Sequence, residues 1–150
     1  MSVFSNPAGS SKSSTDAYIK ALLGLLGDRD PVQVLAAQVT AVQQEVAGLR
    51  DESLRRPEKP GKWSILQALQ HLADSELVTS FRMRMILAHD SPELQGYDQD
   101  AWATGLKYNE VDPADAIDQL RVLRGINLKL IRSLDKKQWE RAGMHSETGV

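Results

Sequence analysis

The sequence predicts an all-α protein organised as a bundle of helices. Three long segments place apolar residues three and four positions apart, which is the spacing of one face of a helix. Two of these segments begin with Asp-Pro, at residues 30–31 and 112–113, and this dipeptide is typical of a helix start. No stretch alternates apolar and polar residues for long, so no strand is predicted.

The N-terminal region divides into a tail and a short helix. Residues 1–14 are rich in Ser, Gly and Pro, and we expect a flexible tail because such residues bury little apolar surface. Residues 15–27 predict a short apolar helix that ends near Gly27. The helical domain is therefore assigned to residues 15–150.

The first long helix is predicted to begin at Asp30-Pro31, and residues 50–62 break it because they contain Pro and Gly. Ser64 and Gln67 then form a capping-box pattern for a second long helix that runs to about His89. The apolar faces of the two helices consist of Val32, Leu35, Val39, Val42, Val46 and Leu49 in the first, and of Ile65, Leu69, Leu72, Thr79, Met83 and Ile86 in the second.

The C-terminal half predicts one more long helix after a loop. Residues 90–111 indicate a structured loop with one helical turn, and Asp112-Pro113 begins the third long helix. Asp135 is expected to cap a short turn through Trp139, and residues 143–150 show no predicted structure. The apolar face of the third helix consists of Ala116, Leu120, Leu123, Leu130 and Leu134.

Composition excludes several classes of function. The 150 residues suffice for one domain, and the net charge of −2 with scattered Arg gives no basic surface for nucleic acid or anionic lipid. The absence of cysteine excludes disulfides and a Cys nucleophile. No apolar run approaches the roughly 20 residues that span a bilayer, and the N-terminus does not resemble a secretory signal. A cytoplasmic location is expected.

His71 is the histidine with the strongest case for chemistry. It shares a side of the second long helix with small residues, Ala68 and Ser75, which leave room beside the imidazole. The alternative is a hydrogen-bonded packing histidine, since one His without an H-x-x-x-H partner is a weak metal signal. His89 is interpreted as a charge at a helix C-terminus.

Glu76 and Asn127 occupy positions where an apolar residue is expected. They are interpreted as a register-setting polar pair, or as a Glu whose carboxylate reaches the rim, or as groups that support a metal site or act as a base. Glu76 and His71 point about 140° apart on an ideal helix, so they are not expected to bind one ion together. Asp74 is expected to be solvated. The three Trp residues are expected to close the ends of the bundle, with a ligand platform as the alternative.

Several segments together resemble the DinB/YfiT-like superfamily. The main one runs from Lys62-Trp63-Ser64-Ile65 to His71-Leu72-Ala73-Asp74-Ser75-Glu76. The segments 97–102, beginning Tyr-Asp-Gln-Asp, and 130–134, Leu-Ile-Arg-Ser-Leu, continue the match in the same order, as do Trp139 and Gly143-Met144-His145.

The resemblance implies an up-down-down-up four-helix bundle, commonly a homodimer, with Ni or Zn bound by three histidines. The first ligand falls on His71. The other two would lie in an H-x-x-x-H segment of the last helix, which is expected to begin near Val150, so this chain is predicted to supply three long helices and to lack most of the fourth. His145 matches a family residue that is not one of the three ligands.

The resemblance also implies a function. It indicates a metal-dependent enzyme similar to thiol-dependent S-transferases or hydrolases that act on a small molecule or thiol. As this shortened chain, the enzyme is expected to be inactive. In such enzymes the metal is expected to activate a thiol or water as a Lewis acid. The alternative is a non-catalytic helical bundle that acts as a dimerisation or interaction module through an exposed apolar groove.

Overall fold

A computed structural model describes residues 12–146, and within them the fold is helical, as predicted. The helix α1 begins three residues before its predicted start, and the rest of the predicted tail, residues 1–11, lies outside the described residues. A 3₁₀ turn covers Tyr108–Glu110. The helices are α1 Lys12–Leu26, α2 Pro31–Val46, α3 Asp51–Arg55, α4 Ile65–Ala88, α5 Gln99–Gly105, α6 Pro113–Ser133 and α7 Lys136–Trp139.

The three long helices begin at the caps that the sequence predicts. The carboxylates of Asp30 and Asp112 each accept a backbone N–H bond of 2.8 Å at the start of α2 and α6. At the start of α4, Ser64 Oγ accepts from Gln67 N at 3.1 Å and Gln67 Oε1 accepts from Ser64 N at 2.9 Å. Because these bonds satisfy N–H groups that lack a partner within the helix, they define where each long helix starts.

Helices α4 and α6 run parallel to each other. Gln70 on α4 donates to Gln119 on α6 at 3.1 Å, and Glu76 accepts from Asn127 at 2.8 Å. The residue numbers of the hydrogen-bonded partners therefore increase in the same direction along both helices. Two adjacent parallel helices require a connection that returns along the length of the bundle, and residues 89–112 provide it. We call residues 89–112 the crossover.

Helix α2 runs antiparallel to α6. The Leu35 carbonyl on α2 accepts from Arg124 Nη1 at 3.0 Å, whereas Val39, one turn later on α2, packs in one cluster with Leu120, one turn earlier on α6. Partner numbers fall on one helix as they rise on the other. The order of α2, α4 and α6 is therefore up, down, down, as the resemblance implies.

Two clusters of buried side chains hold the long helices together. One joins α2, α4 and α6 through Val39, Ala73 and Leu120. The other lies nearer the start of α4 and includes a buried leucine from α3, a helix that the sequence analysis placed in a helix-breaking segment; its members are Leu54, Leu66, Leu69 and Ala116. The predicted apolar faces are wrong in places, because Leu49 lies beyond α2, and because Ile65, which is 41 % exposed, and Thr79 both face away from the core on α4.

The segment after α7 contacts the crossover. Glu93–Leu94 pairs in parallel with Met144–His145, so the prediction that residues 143–150 lack structure is wrong for these two residues. Gly143 permits the approach, since a Cβ there would lie 3.0 Å from the Leu94 side chain. Within residues 12–146, no helix has the length and apolar character needed to cross a membrane.

Candidate metal site around His71

His71 lies on α4 close to Trp63, which precedes the helix, and to Tyr97, which belongs to the crossover. The ring of Trp63, just before α4, meets the imidazole edge to face with 4.9 Å between the ring centroids. His71 Nε2 is 3.3 Å from Ser75 Oγ, and Ser75 Oγ is 2.9 Å from the hydroxyl of Tyr97. The imidazole is therefore half-buried between α4 and the crossover and held by a chain of hydroxyl groups.

The surroundings of His71 favour its neutral form. Burial lowers the pKa of the imidazole below its usual value, and the negative charge of Asp74 opposes this only in part. Nδ1 is buried and has no hydrogen-bond partner among the described residues. A neutral imidazole with one free ring nitrogen is suited to bind a metal ion, provided that the ion can reach it.

The crossover also fixes the aromatic side chains around His71. Trp63 Nε1 donates to Asp100 Oδ1 at 2.9 Å, which ties the start of α4 to α5. Tyr97 and Trp102 pack with their ring centroids 4.5 Å apart. Two of the three tryptophans thus lie beside the His71 region, whereas Trp139 is 59 % exposed at the far end of the chain.

Asp74 is buried, so the expectation that it is solvated is wrong. Its side chain accepts hydrogen bonds from the Tyr108 hydroxyl at 2.6 Å, from Gln119 Nε2 at 2.8 Å and from Gln70 Nε2 at 3.2 Å. Burial and the bond to Asp74 raise the pKa of Tyr108. A buried carboxylate persists when several donors surround it. The angular position of Asp74 on α4 could not predict this arrangement, because Tyr108 belongs to the crossover.

Glu76 and Asn127 join a buried ion pair between α4 and α6. Glu76 Oε2 lies 2.7 Å from Arg124 Nη2, and Glu76 Oε1 accepts from Asn127 Nδ2 at 2.8 Å. Neither carboxylate oxygen contacts His71, so the geometry favours a register-setting polar group over support for a metal. The sequence analysis missed Arg124, although it lies four residues after Leu120 on the buried face of α6.

The described residues fit one ligand of a metal site and not a complete one. Within residues 12–146, no group of three His, Cys, Asp or Glu side chains is placed to hold a metal ion. His89 is exposed beyond the end of α4, and His145 lies in the short ladder with Leu94. His71 is thus the only residue of the predicted ligand set that this part of the chain supplies.

The chain is similar to proteins named for metal-dependent hydrolysis. It is 30 % identical over 117 residues to YfiT of Bacillus subtilis, which is provisionally named a metal-dependent hydrolase; the match covers 78 % of this chain and 66 % of YfiT. A protein of Oceanobacillus iheyensis with the same provisional name is 29 % identical over 109 residues, which cover 71 % of this chain and 61 % of that protein. The chain therefore spans about two thirds or less of the length of these curated relatives.

The fold leads to the same group of proteins. The solved structure of YfiT from Bacillus subtilis, described as a probable metal-dependent hydrolase with an unusual four-helix bundle topology, superposes with a TM-score of 0.75 at 29 % identity, over 79 % of this chain and 68 % of that one. Residues 35–150 match the family model of the DinB superfamily. The chain belongs to the DinB superfamily, and the fold class predicted from its sequence is confirmed.

Proposed function

We propose that this protein is a metal-dependent enzyme of the hydrolase type in which His71 is a metal ligand. The observation that carries the proposal is the position of the imidazole, which is half-buried and has no hydrogen-bond partner at Nδ1 among the described residues, while burial lowers its pKa. A metal ligand must be unprotonated, so a lowered pKa reduces the competition from protons. The names of the relatives support the same class of activity.

The neighbours of His71 have defined roles in this proposal. Ser75, which itself contacts Tyr97, fixes the rotation of the ring through Nε2. Trp63 covers one side of the imidazole and restricts water. A ring held in this way loses little conformational freedom when an ion binds, which favours binding.

Two further imidazoles are required for the three-histidine site that the resemblance implies. The described residues do not supply them, so we infer that these 150 residues alone bind metal weakly and do not turn over substrate. Hydrolysis and thiol S-transfer are the two candidate reactions for the complete enzyme. They differ in the nucleophile, which is water in hydrolysis and a thiol in S-transfer. Activity that depends on an added low-molecular-weight thiol would indicate transfer, and activity in water alone would indicate hydrolysis.

The mass of the protein from its native source, combined with metal analysis, tests the ligand set. A native product longer than 150 residues that carries two further histidines and retains Ni or Zn after dialysis would support the proposal. A native product that ends at Val150 and holds no metal after dialysis would overturn it.

Zinc titration followed by the imidazole signals in NMR spectra tests His71 directly. We expect the His71 signals to shift at a lower Zn²⁺ concentration than those of the exposed His89, because the lowered pKa of His71 keeps its nitrogen unprotonated. His71→Gln should remove the earliest response of the neighbouring residues, and His89→Gln is the matched control. A response that begins at His89, or none at His71, would contradict the assignment.

A second candidate function is self-association, because α1 exposes apolar side chains. Leu23 and Leu25 are 61 % and 60 % exposed, and Ile19 and Leu22 are also exposed. We infer that a second copy of the chain covers this helix and forms the expected homodimer. Light scattering should show a dimer, and Leu23→Glu should dissociate it. The matched change Val122→Glu on α6 should leave the dimer intact. A wild-type monomer at high concentration would rule out this role.

A further inference from the structure

Tyr97, whose hydroxyl contacts Ser75 beside His71, also lines a separate cavity. This cavity has a volume of about 290 Å³ and lies between α4 and the start of the crossover. Its walls are mainly apolar and aromatic, and are formed by Leu77, Val78, Phe81, Leu94, Tyr97 and Trp102. This volume is at the lower end of the roughly 300–1,000 Å³ found for small-molecule sites, so it suits a compact ligand.

The cavity contains one cationic side chain that lacks a counter-charge. Arg82 is half-buried in the wall, and its guanidinium donates to the backbone carbonyl of Gln95. Its Nε is buried with no hydrogen-bond partner among the described residues, and no ion pair joins Arg82 to an acidic side chain of residues 12–146. A partly desolvated guanidinium without an anion is costly, and a ligand oxygen would satisfy it.

The acidic residue at the rim does not neutralise Arg82. Glu93 borders the cavity, but its carboxylate is exposed and accepts a hydrogen bond from the Gln95 side chain at 3.1 Å. The charge at Arg82 is therefore the more buried of the two. Phe81, which also lines the cavity, is 64 % exposed, so a ligand would contact apolar surface as well as the guanidinium.

We propose that this cavity binds a small organic monocarboxylate with an aromatic or branched aliphatic body, whose carboxylate pairs with Arg82. Arg is suited to carboxylates because its N–H groups match the two oxygens. The body of the ligand would pack against Phe81, Tyr97 and Trp102. The site is distinct from the His71 nitrogen atoms, and its occupation does not require a metal.

Phenylacetate is a suitable probe because it carries a carboxylate on an aromatic body. Binding is followed by the Arg82 Nε–Hε cross-peak in ¹H–¹⁵N spectra and by Trp fluorescence, in buffer with EDTA. We expect a saturable shift of the Arg82 signal, and we expect the neutral analogue phenylacetamide to bind at least about tenfold more weakly, since the charged hydrogen bond is lost. This comparison uses only the wild-type protein and does not depend on the folding of a variant.

Arg82→Gln removes the charge and should weaken phenylacetate binding at least about tenfold while leaving phenylacetamide binding unchanged. The matched control is Arg132→Gln, which changes the net charge equally at an exposed position of α6. Equal binding of acid and amide, an equal loss in the Arg132 variant, or no saturable shift in the wild type would each overturn the proposal. Because EDTA excludes metal, failure here would leave the His71 assignment unaffected, and His71→Gln should still bind phenylacetate.

Discussion

Removal of Arg124 should destabilise the fold far more than removal of any exposed arginine. Arg124 and Glu76 are 2.7 Å apart with side chains only 8 % and 9 % exposed, and they join the parallel helices α4 and α6. Arg124→Met leaves the Glu76 charge buried without its cation. Breaking a buried pair in this way costs about 3–5 kcal/mol. For a chain of this size, that corresponds to a fall in Tm of roughly 6–20 °C.

Urea denaturation followed by circular dichroism measures this cost, and an exposed ion pair provides the control. Arg121 and Asp118 are 3.2 Å apart on the same helix, with side chains 56 % and 64 % exposed. Arg121→Met should cost no more than about 0.5 kcal/mol, because water screens the pair. The slope of free energy against urea should stay constant in both variants, which shows that the unfolded state is unchanged.

A double-mutant cycle separates the charge pair from the loss of packing. Glu76→Gln keeps an acceptor for Asn127 but removes the negative charge. Because neither charge is then buried, Glu76→Gln with Arg124→Met should be more stable than the sum of the two single changes predicts, by about 1.5 kcal/mol or more. If Arg124→Met costs no more than Arg121→Met, or if the two changes are additive, the ion pair does not stabilise the packing of α4 on α6.

Three further outcomes follow from individual contacts. In the absence of metal, the unfolded chain binds a proton at His71 more readily than the folded chain, because burial lowers the pKa of the imidazole in the fold. The stability that depends on this residue is therefore complete above about pH 6.5 and falls as the pH drops toward the folded pKa. The urea midpoint of His71→Gln should lack this pH dependence. Tyr108→Phe should cost about 2 kcal/mol in urea denaturation, since Asp74 loses its 2.6 Å bond and stays buried; a loss below about 0.5 kcal/mol would mean that the two amide donors suffice. Asp112→Ala should cost about 1 kcal/mol by loss of the cap at Ala114 N, and Asp112→Asn should restore most of it.

Membership of the superfamily is confirmed by the family match, and the relatives carry names for metal-dependent hydrolysis. The choice between hydrolysis and thiol transfer, the identity of the metal, the homodimer and the absence of most of the last helix stay predictions. The described residues add one constraint to all of them, since they place a single imidazole where a ligand is expected.

Local sequence determined the three long helices and their starting points. Asp30, Ser64 and Asp112 satisfy N–H groups only a few residues away, so their caps can be read without knowledge of the fold. The spacing of apolar residues likewise defined the buried sides of α2, α4 and α6. These features depend on residues within one or two turns of each other, so they do not require contacts between distant segments.

Tertiary structure alone decided which polar side chains meet. The parallel arrangement of α4 and α6 brings Glu76 to Arg124, and the crossover brings Tyr108 to Asp74 and Tyr97 to Ser75. Ser75 and Tyr97 are 22 positions apart in the sequence, and Glu76 and Arg124 are 48 positions apart. Helical angle and residue spacing do not predict contacts between segments so far apart. The sequence by itself determined the three long helices and most of the apolar residues that they bury. The packing determined where the charges lie, because a buried carboxylate or guanidinium depends on groups that only the folded chain brings within hydrogen-bond distance.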